Sequence, residues 1–169
     1  IPCVARIEVG RVDVEMHAYA DRKKNVKRPP KSSFDLVDRK ASSSKTYTAR
    51  DLEALPALTF NSAILIGECS GFKGIHSFRG VSLRAILESQ GYGKFPRDYS
   101  RYVLATSEDG FCSVFSFGEI FNSRLDDNIM IATSKNGKSL GEEGFAMSVV
   151  REDSTGGRSV KRIFKMEIF

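Results

Sequence analysis

The chain has no tryptophan, and only three cysteines and two histidines among its 169 residues. Cys3, Cys69 and Cys112 show no CxxC spacing, and with only His17 and His76 beside them an ordinary zinc site is not expected. Three thiols cannot all pair within one chain, and a single thiolate for a soft metal stays open. Long apolar runs are also missing. No window approaches the ~20 consecutive apolar residues that a membrane helix needs. No secretory signal pattern is present. The start at Ile1-Pro2-Cys3, without Met, leads us to expect that a leader once preceded it.

What is there reads as an ordinary globular domain. Hydrophobic residues make up 41% and charged residues 28%, which is enough apolar material for one core in a chain of this length. The formal net charge is +5. All of that excess sits in Asp21–Lys31, "DRKKNVKRPPK". No aromatic residues interleave those charges and no groove-entering helix adjoins them, so nucleic acid is not the expected partner and a solvated loop is.

Along the chain, "VARIEVGRVDVEM" alternates apolar and polar positions through Val4, Ile7, Val9, Val12 and Val14, a strand pattern bent at Gly10. "SFDLVD" reads as a strand and "KASSSK" as a turn or link. Thr48 caps a short helix with Asp51 three residues on, Leu52 and Leu55 form its apolar face, and Pro56 ends it. "SAILIGEC" is a continuous apolar strand, followed by a glycine-rich loop. Ser82 caps a helix that buries Leu83, Ile86 and Leu87 and ends at Gly91. "RYVLATS", "FCSVFSF", "NIMIAT" with an Asn-Gly turn, "FAMSVVRE" and "VKRIFKMEIF" read as strands. Two or three short helices among eight or more strands, without regular alternation, indicate an α+β, β-rich fold. No repeat or second domain is visible. We expect a single domain over 1–169, with a β-rich extension carrying the basic loop (1–46) and a core over 47–169.

The order of the pieces carries a resemblance. A helix "DLEALP", a strand ending in Cys69, then Gly71-Phe72 and "FRGVSL" opening a helix are followed by Asp109-Gly110-Phe111-Cys112-Ser113. Next come Asn136-Gly137-Lys138-Ser139-Leu140 and the run Arg158-Ser159-Val160-Lys161-Arg162 leading to Ile168. This ordered set, over roughly 47–169, resembles the molybdopterin-binding domain of the sulfite oxidase family. The resemblance implies that family's fold, with mixed sheets, and binding of a pterin cofactor, molybdopterin, with molybdenum as the metal. It also implies a periplasmic or extracytoplasmic setting.

On the same resemblance, Cys69 takes the place of the metal ligand, and a soft thiolate suits molybdenum. The reading that competes is a buried structural cysteine, or a disulfide with Cys112. Arg158, Ser159 and Lys161 match the segment on the phosphate side, where cations and glycine-flanked backbone meet an anion; otherwise they are a solvated strand edge. Thr106 matches a polar position facing the cofactor, Phe72 an aromatic that stacks on a pterin, and Glu143 an acid that accepts pterin N–H groups. His76, on a loop with Lys73 and Arg79, reads as an exposed histidine rather than a base. Phe111 stands where the family has tyrosine, and the segment Gly144–Ser148 lacks the family's proline and arginine. Two functions follow. One is a pterin-dependent oxidoreductase of the sulfite oxidase type, working with a redox protein partner. The other is a non-catalytic pterin-binding or signalling module that has lost metal chemistry.

Overall fold

In a computed structural model, residues 29–67, 71–125 and 127–169 are described. Among them run ten strands and three short α-helices, arranged in two five-stranded sheets. The first sheet has β1 (Ser33–Asp38), β2 (Ser43–Thr48), β5 (Tyr102–Ser107), β6 (Cys112–Ser116) and β10 (Ile163–Ile168), in the order β2-β1-β10-β5-β6. It is mixed, because β1 runs parallel to β10 while the other pairs are antiparallel. The second sheet is antiparallel. It orders β3 (Ala57–Gly67), β4 (Gly71–Ser82), β7 (Ile129–Lys135) and β8 (Lys138–Ser139), and β9 (Met147–Val150) also pairs with β7. Among the described residues the architecture is mostly β, with one mixed and one antiparallel sheet and three short helices.

The helices start where the sequence supplies caps. In α1 (Ala49–Glu53) the Thr48 N–H and hydroxyl both donate to Asp51 Oδ2, at 3.0 and 2.5 Å. In α2 (Leu83–Glu88) the Ala85 N–H donates to Ser82 Oγ at 3.0 Å. The third helix, α3 (Phe117–Phe121), starts at a Ser116–Glu119 capping box, at the end of "FCSVFSF", the stretch that reads as strand. Burial of Phe117, Ile120 and Phe121 fixes it as a helix.

Two further expectations are corrected. "KASSSK" is not only a link, because its last three residues begin β2. Only Tyr47 of that strand is buried, and an exposed edge strand shows no apolar alternation. The glycine-rich stretch after Cys69 is the long strand β4. There Gly80 lets the chain press on β7, for a Cβ would stand 2.1 Å from the Ile131 carbonyl.

The main core lies between the first sheet and the inner face of the second. It holds Phe34, Tyr47, Leu83, Ile86, Val103, Phe115, Phe117, Ile131 and Met166, among others. A smaller cluster of Phe60, Phe78, Met130, Met147 and Val149 covers the opposite face of the second sheet. Alternation along β7 feeds both: Ile129 and Ile131 go to the first, Met130 and Ala132 to the second. Among the described residues no helix is long and apolar enough to cross a membrane.

Candidate functional site

The residues singled out by sequence fall into three places. The first is the pair Glu143 and Lys161. A 3-10 turn, Gly141–Glu143, brings the carboxylate to the start of the final strand segment, and Lys161 Nζ donates to Glu143 Oε1 at 2.7 Å. Lys135, at the end of β7, approaches the other carboxylate oxygen at 3.4 Å. Burial pulls the Glu143 pKa up, but Lys161 and Lys135 outweigh it and hold the carboxyl below its ordinary range. Two cations around one carboxylate leave a local excess of positive charge.

The backbone there is unusual. Arg162 adopts φ +50°, a left-handed conformation costly for a residue with a side chain. It is held by Arg162 N–H donating to the Glu143 carbonyl (2.8 Å) and Glu108 N–H donating to the Arg162 carbonyl (3.1 Å). The Arg162 guanidinium also donates to Glu108 Oε2 at 2.7 Å. Gly144, at φ +99°, lies so close that a Cβ would meet the Arg162 Cα at 2.6 Å. Glycine is therefore required at 144 for both reasons.

The second place is the 3-10 turn Gly156–Arg158. Arg158 is gripped by acids on two elements, Asp153 Oδ1 at 2.6 Å and Glu119 Oε1 of the α3 capping box at 2.7 Å. Asp153 and Glu119 raise its pKa against the pull of burial. Here two carboxylates surround one cation, so the local excess is negative. Ser159 N–H donates to the Gly156 carbonyl. Gly156 sits beside β3, where an added Cβ would be 3.5 Å from the Ile66 carbonyl. Ile66 pairs with Phe72 across the hairpin, and Gly67 with Gly71. Phe72 is 68% exposed. Cys69, the expected metal ligand, lies outside the described residues.

The third place is Thr106, near the end of β5 in the first sheet and only 4% exposed. Its hydroxyl is buried and has no hydrogen-bond partner. The register sets Asp35, Lys165, Thr106 and Cys112 in one row across four strands. Cys112 is half-buried, and its thiol donates to the Gly110 carbonyl at 3.5 Å. An unmet buried hydroxyl costs ~1–3 kcal/mol.

The structure thus brings Glu143 and Lys161 together and sets Arg158 beside Ser159. Among the described residues, no hydrogen bond or ion pair joins Thr106, Phe72 or Arg158 to the Glu143–Lys161 pair. His76 is engaged at both ring nitrogens, with the Lys73 carbonyl and the Asn136 side chain. Sequence reasoning missed Lys135, Glu119, Asp153 and Lys165. Only Glu119 carried a local signal, the serine three residues before it. No group of three metal-ligating side chains occurs among the described residues.

A family model, the oxidoreductase molybdopterin binding domain, matches residues 25–169. The chain belongs to this family. The domain family binds the molybdopterin cofactor, and the match takes in β1 and β2 as well as the segments from α1 onward. No curated protein matches the chain significantly.

Proposed function

We propose that this domain binds molybdopterin as a molybdenum-dependent oxidoreductase of the sulfite oxidase type, with Cys69 as the protein's thiolate to the metal. The observation that carries the reading is the Thr106 hydroxyl, buried without a partner beside Lys165 and Cys112. A bound polar group satisfies such an atom, and a pterin edge offers donors and acceptors for it.

The charge balance supports a division of labour. Lys161 and Lys135 outnumber Glu143, so they form the cationic surface for the cofactor's phosphate. Arg158 is neutralised by Asp153 and Glu119, so it orients the turn around Gly156 and Ser159 rather than serving as a free anion clamp. Phe72 offers an exposed ring face for stacking. When bound, the cofactor supplies two-electron oxygen-atom transfer at its metal. The protein's own groups bind, orient and exclude water. We also take the chain to work as a single domain outside the cytoplasm.

A second reading, a pterin-binding module without metal chemistry, is favoured by one feature: the Arg158 guanidinium already has two carboxylates. Metal analysis and pterin fluorescence on protein from cofactor-making cells distinguish the two. The enzyme reading expects molybdenum and pterin equimolar with the chain, and loss of metal in Cys69→Ser. Pterin without metal, indifferent to Cys69→Ser, establishes the module. Absence of pterin from both proteins rejects both readings.

A further inference from the structure

Along β5, Val103 and Ala105 face the main core, so Leu104 and Thr106 belong to the outer face of the first sheet. On β6 the register sets Val114 opposite Leu104 and Cys112 opposite Thr106. The Ser107 N–H donates to the Phe111 carbonyl at 2.8 Å, and the Phe117 N–H to the Arg101 carbonyl at 2.9 Å. The hydrogen-bonded pairs of this hairpin are therefore the odd-numbered ones. Thr106–Cys112 and Leu104–Val114 are the other kind, in which Cα atoms stand ~4.5 Å apart and side chains come closest.

The polar groups of that row are unequally served. Asp35 accepts the Thr46 hydroxyl at 2.6 Å, and Lys165 pairs with Glu167 at 3.1 Å. Among the described residues, the Thr106 hydroxyl is the one buried side-chain polar group without a hydrogen bond. Its neighbours in the row are Lys165, already held by Glu167, and Cys112. The Cys112 side chain is half-buried, and its thiol donates to the Gly110 carbonyl at 3.5 Å, a weak bond. In the next row Leu104 is 6% and Val114 49% exposed. An apolar pair thus lies beside a polar pair, the mixture that seats a flat heteroaromatic ring. The same end of the sheet carries the cations, because the Glu108 N–H donates to the Arg162 carbonyl at 3.1 Å and Lys161 precedes Arg162.

We infer that Cys112 is a contact residue of the bound pterin. Thr106 and Cys112 take its polar edge, and Leu104 and Val114 seat its ring. This rests on the reading that the domain binds molybdopterin, and it adds a second thiol to the site. The Thr106 oxygen lies below the surface, and Lys165 is anchored on one side of it. A ligand therefore reaches that oxygen on the Cys112 side, and covers the thiol in doing so.

The test is alkylation by iodoacetamide of the full chain, purified once from cells that make molybdopterin and once from cells that do not. Mass spectrometry follows the peptide that contains Cys112. We expect bound pterin to slow alkylation of Cys112 at least about tenfold, since thiol reactivity depends on access. Part of the Cys112 side chain is open to solvent, so its alkylation does not wait for unfolding. General stabilisation by the cofactor leaves that rate unchanged, and only cover at the site lowers it. Equal rates in a pterin-loaded and a pterin-free protein overturn the inference and leave pterin binding standing. A thiol inert in both forms overturns it as well. Absence of pterin from protein made in cofactor-making cells rejects pterin binding itself, and the inference with it.

Discussion

Glu143 and Lys161 form an ion pair at 2.7 Å, and Lys135 stands on the other side of the same carboxylate. The end of β7, the segment leading into β10 and one 3-10 turn meet there, and the two lysines outnumber the acid. If they receive the cofactor's phosphate, Lys161→Ala should lower the pterin retained per chain several-fold. Glu143→Gln should retain it. Fluorescence of the released pterin measures both, and equal loss in the two variants rejects the assignment. The pair is partly exposed, so either change should move stability by no more than ~1 kcal/mol.

Thr106 offers a sharper separation between stability and binding. Thr106→Val removes a buried hydroxyl that has no partner, so the cofactor-free protein should be as stable as the parent or more stable. The same change should weaken pterin retention, and Thr106→Ser should restore it. Thermal melts of the free protein, set beside pterin content after purification, check both halves. Destabilisation of the free protein by Thr106→Val shows instead that the hydroxyl is already satisfied.

The acid limb of stability should belong largely to Asp38. Burial pushes its carboxyl up, but hydrogen bonds from Tyr92, the Ala41 N–H and Arg101 outweigh it and lower the pKa from 3.8 to about 2. A lowered folded-state value stabilises above the unfolded value and is lost as pH falls. The protein should therefore lose about 2 kcal/mol between pH ~4 and ~2 from this group. Urea midpoints across that window measure it, and Asp38→Asn should flatten the slope.

Tyr92 acts at the other end of the scale. Burial and the nearby Asp38 raise its phenol from 10.0 to about 12. Its stabilisation is present below pH ~10 and is lost as pH rises toward ~12. Tyr92→Phe should remove that alkaline loss, read from the same urea midpoints.

Gly144→Ala should be severe. The new Cβ meets backbone at 2.6 Å and the residue keeps φ +99°, together costing ~2–4 kcal/mol and lowering the melting temperature by roughly 10 °C. Gly137→Ala, at φ +74° with open space around it, should cost about 1 kcal/mol. Calorimetry of the two side by side checks the difference.

Capped, amphipathic elements were legible in the sequence. Thr48, Ser82 and the buried Leu83, Ile86 and Leu87 follow local rules that need no tertiary context. The strand β2 was not, because its residues are polar and exposed and only pairing with β1 makes it a strand. Nor was α3, whose phenylalanines fit either period. At the site, the sequence marked Glu143 and Lys161 separately, and their contact depends on the left-handed turn at Arg162. The neutralisation of Arg158 was invisible for a similar reason, since Glu119 lies 39 positions away.

The parallel pairing of β1 with β10 bears on synthesis. β10 occupies the centre of the first sheet, between β1 and β5, yet among the described strands it is synthesised after all the others. Until Ile163–Ile168 have been synthesised, β1 and β5 flank a gap and the apolar faces of Phe34, Val103 and Phe115 lack Met166 and Ile168. The nascent chain cannot close its main core in stages. It must wait for β10, so its assembly is expected to be slow and to depend on chaperones shielding those faces.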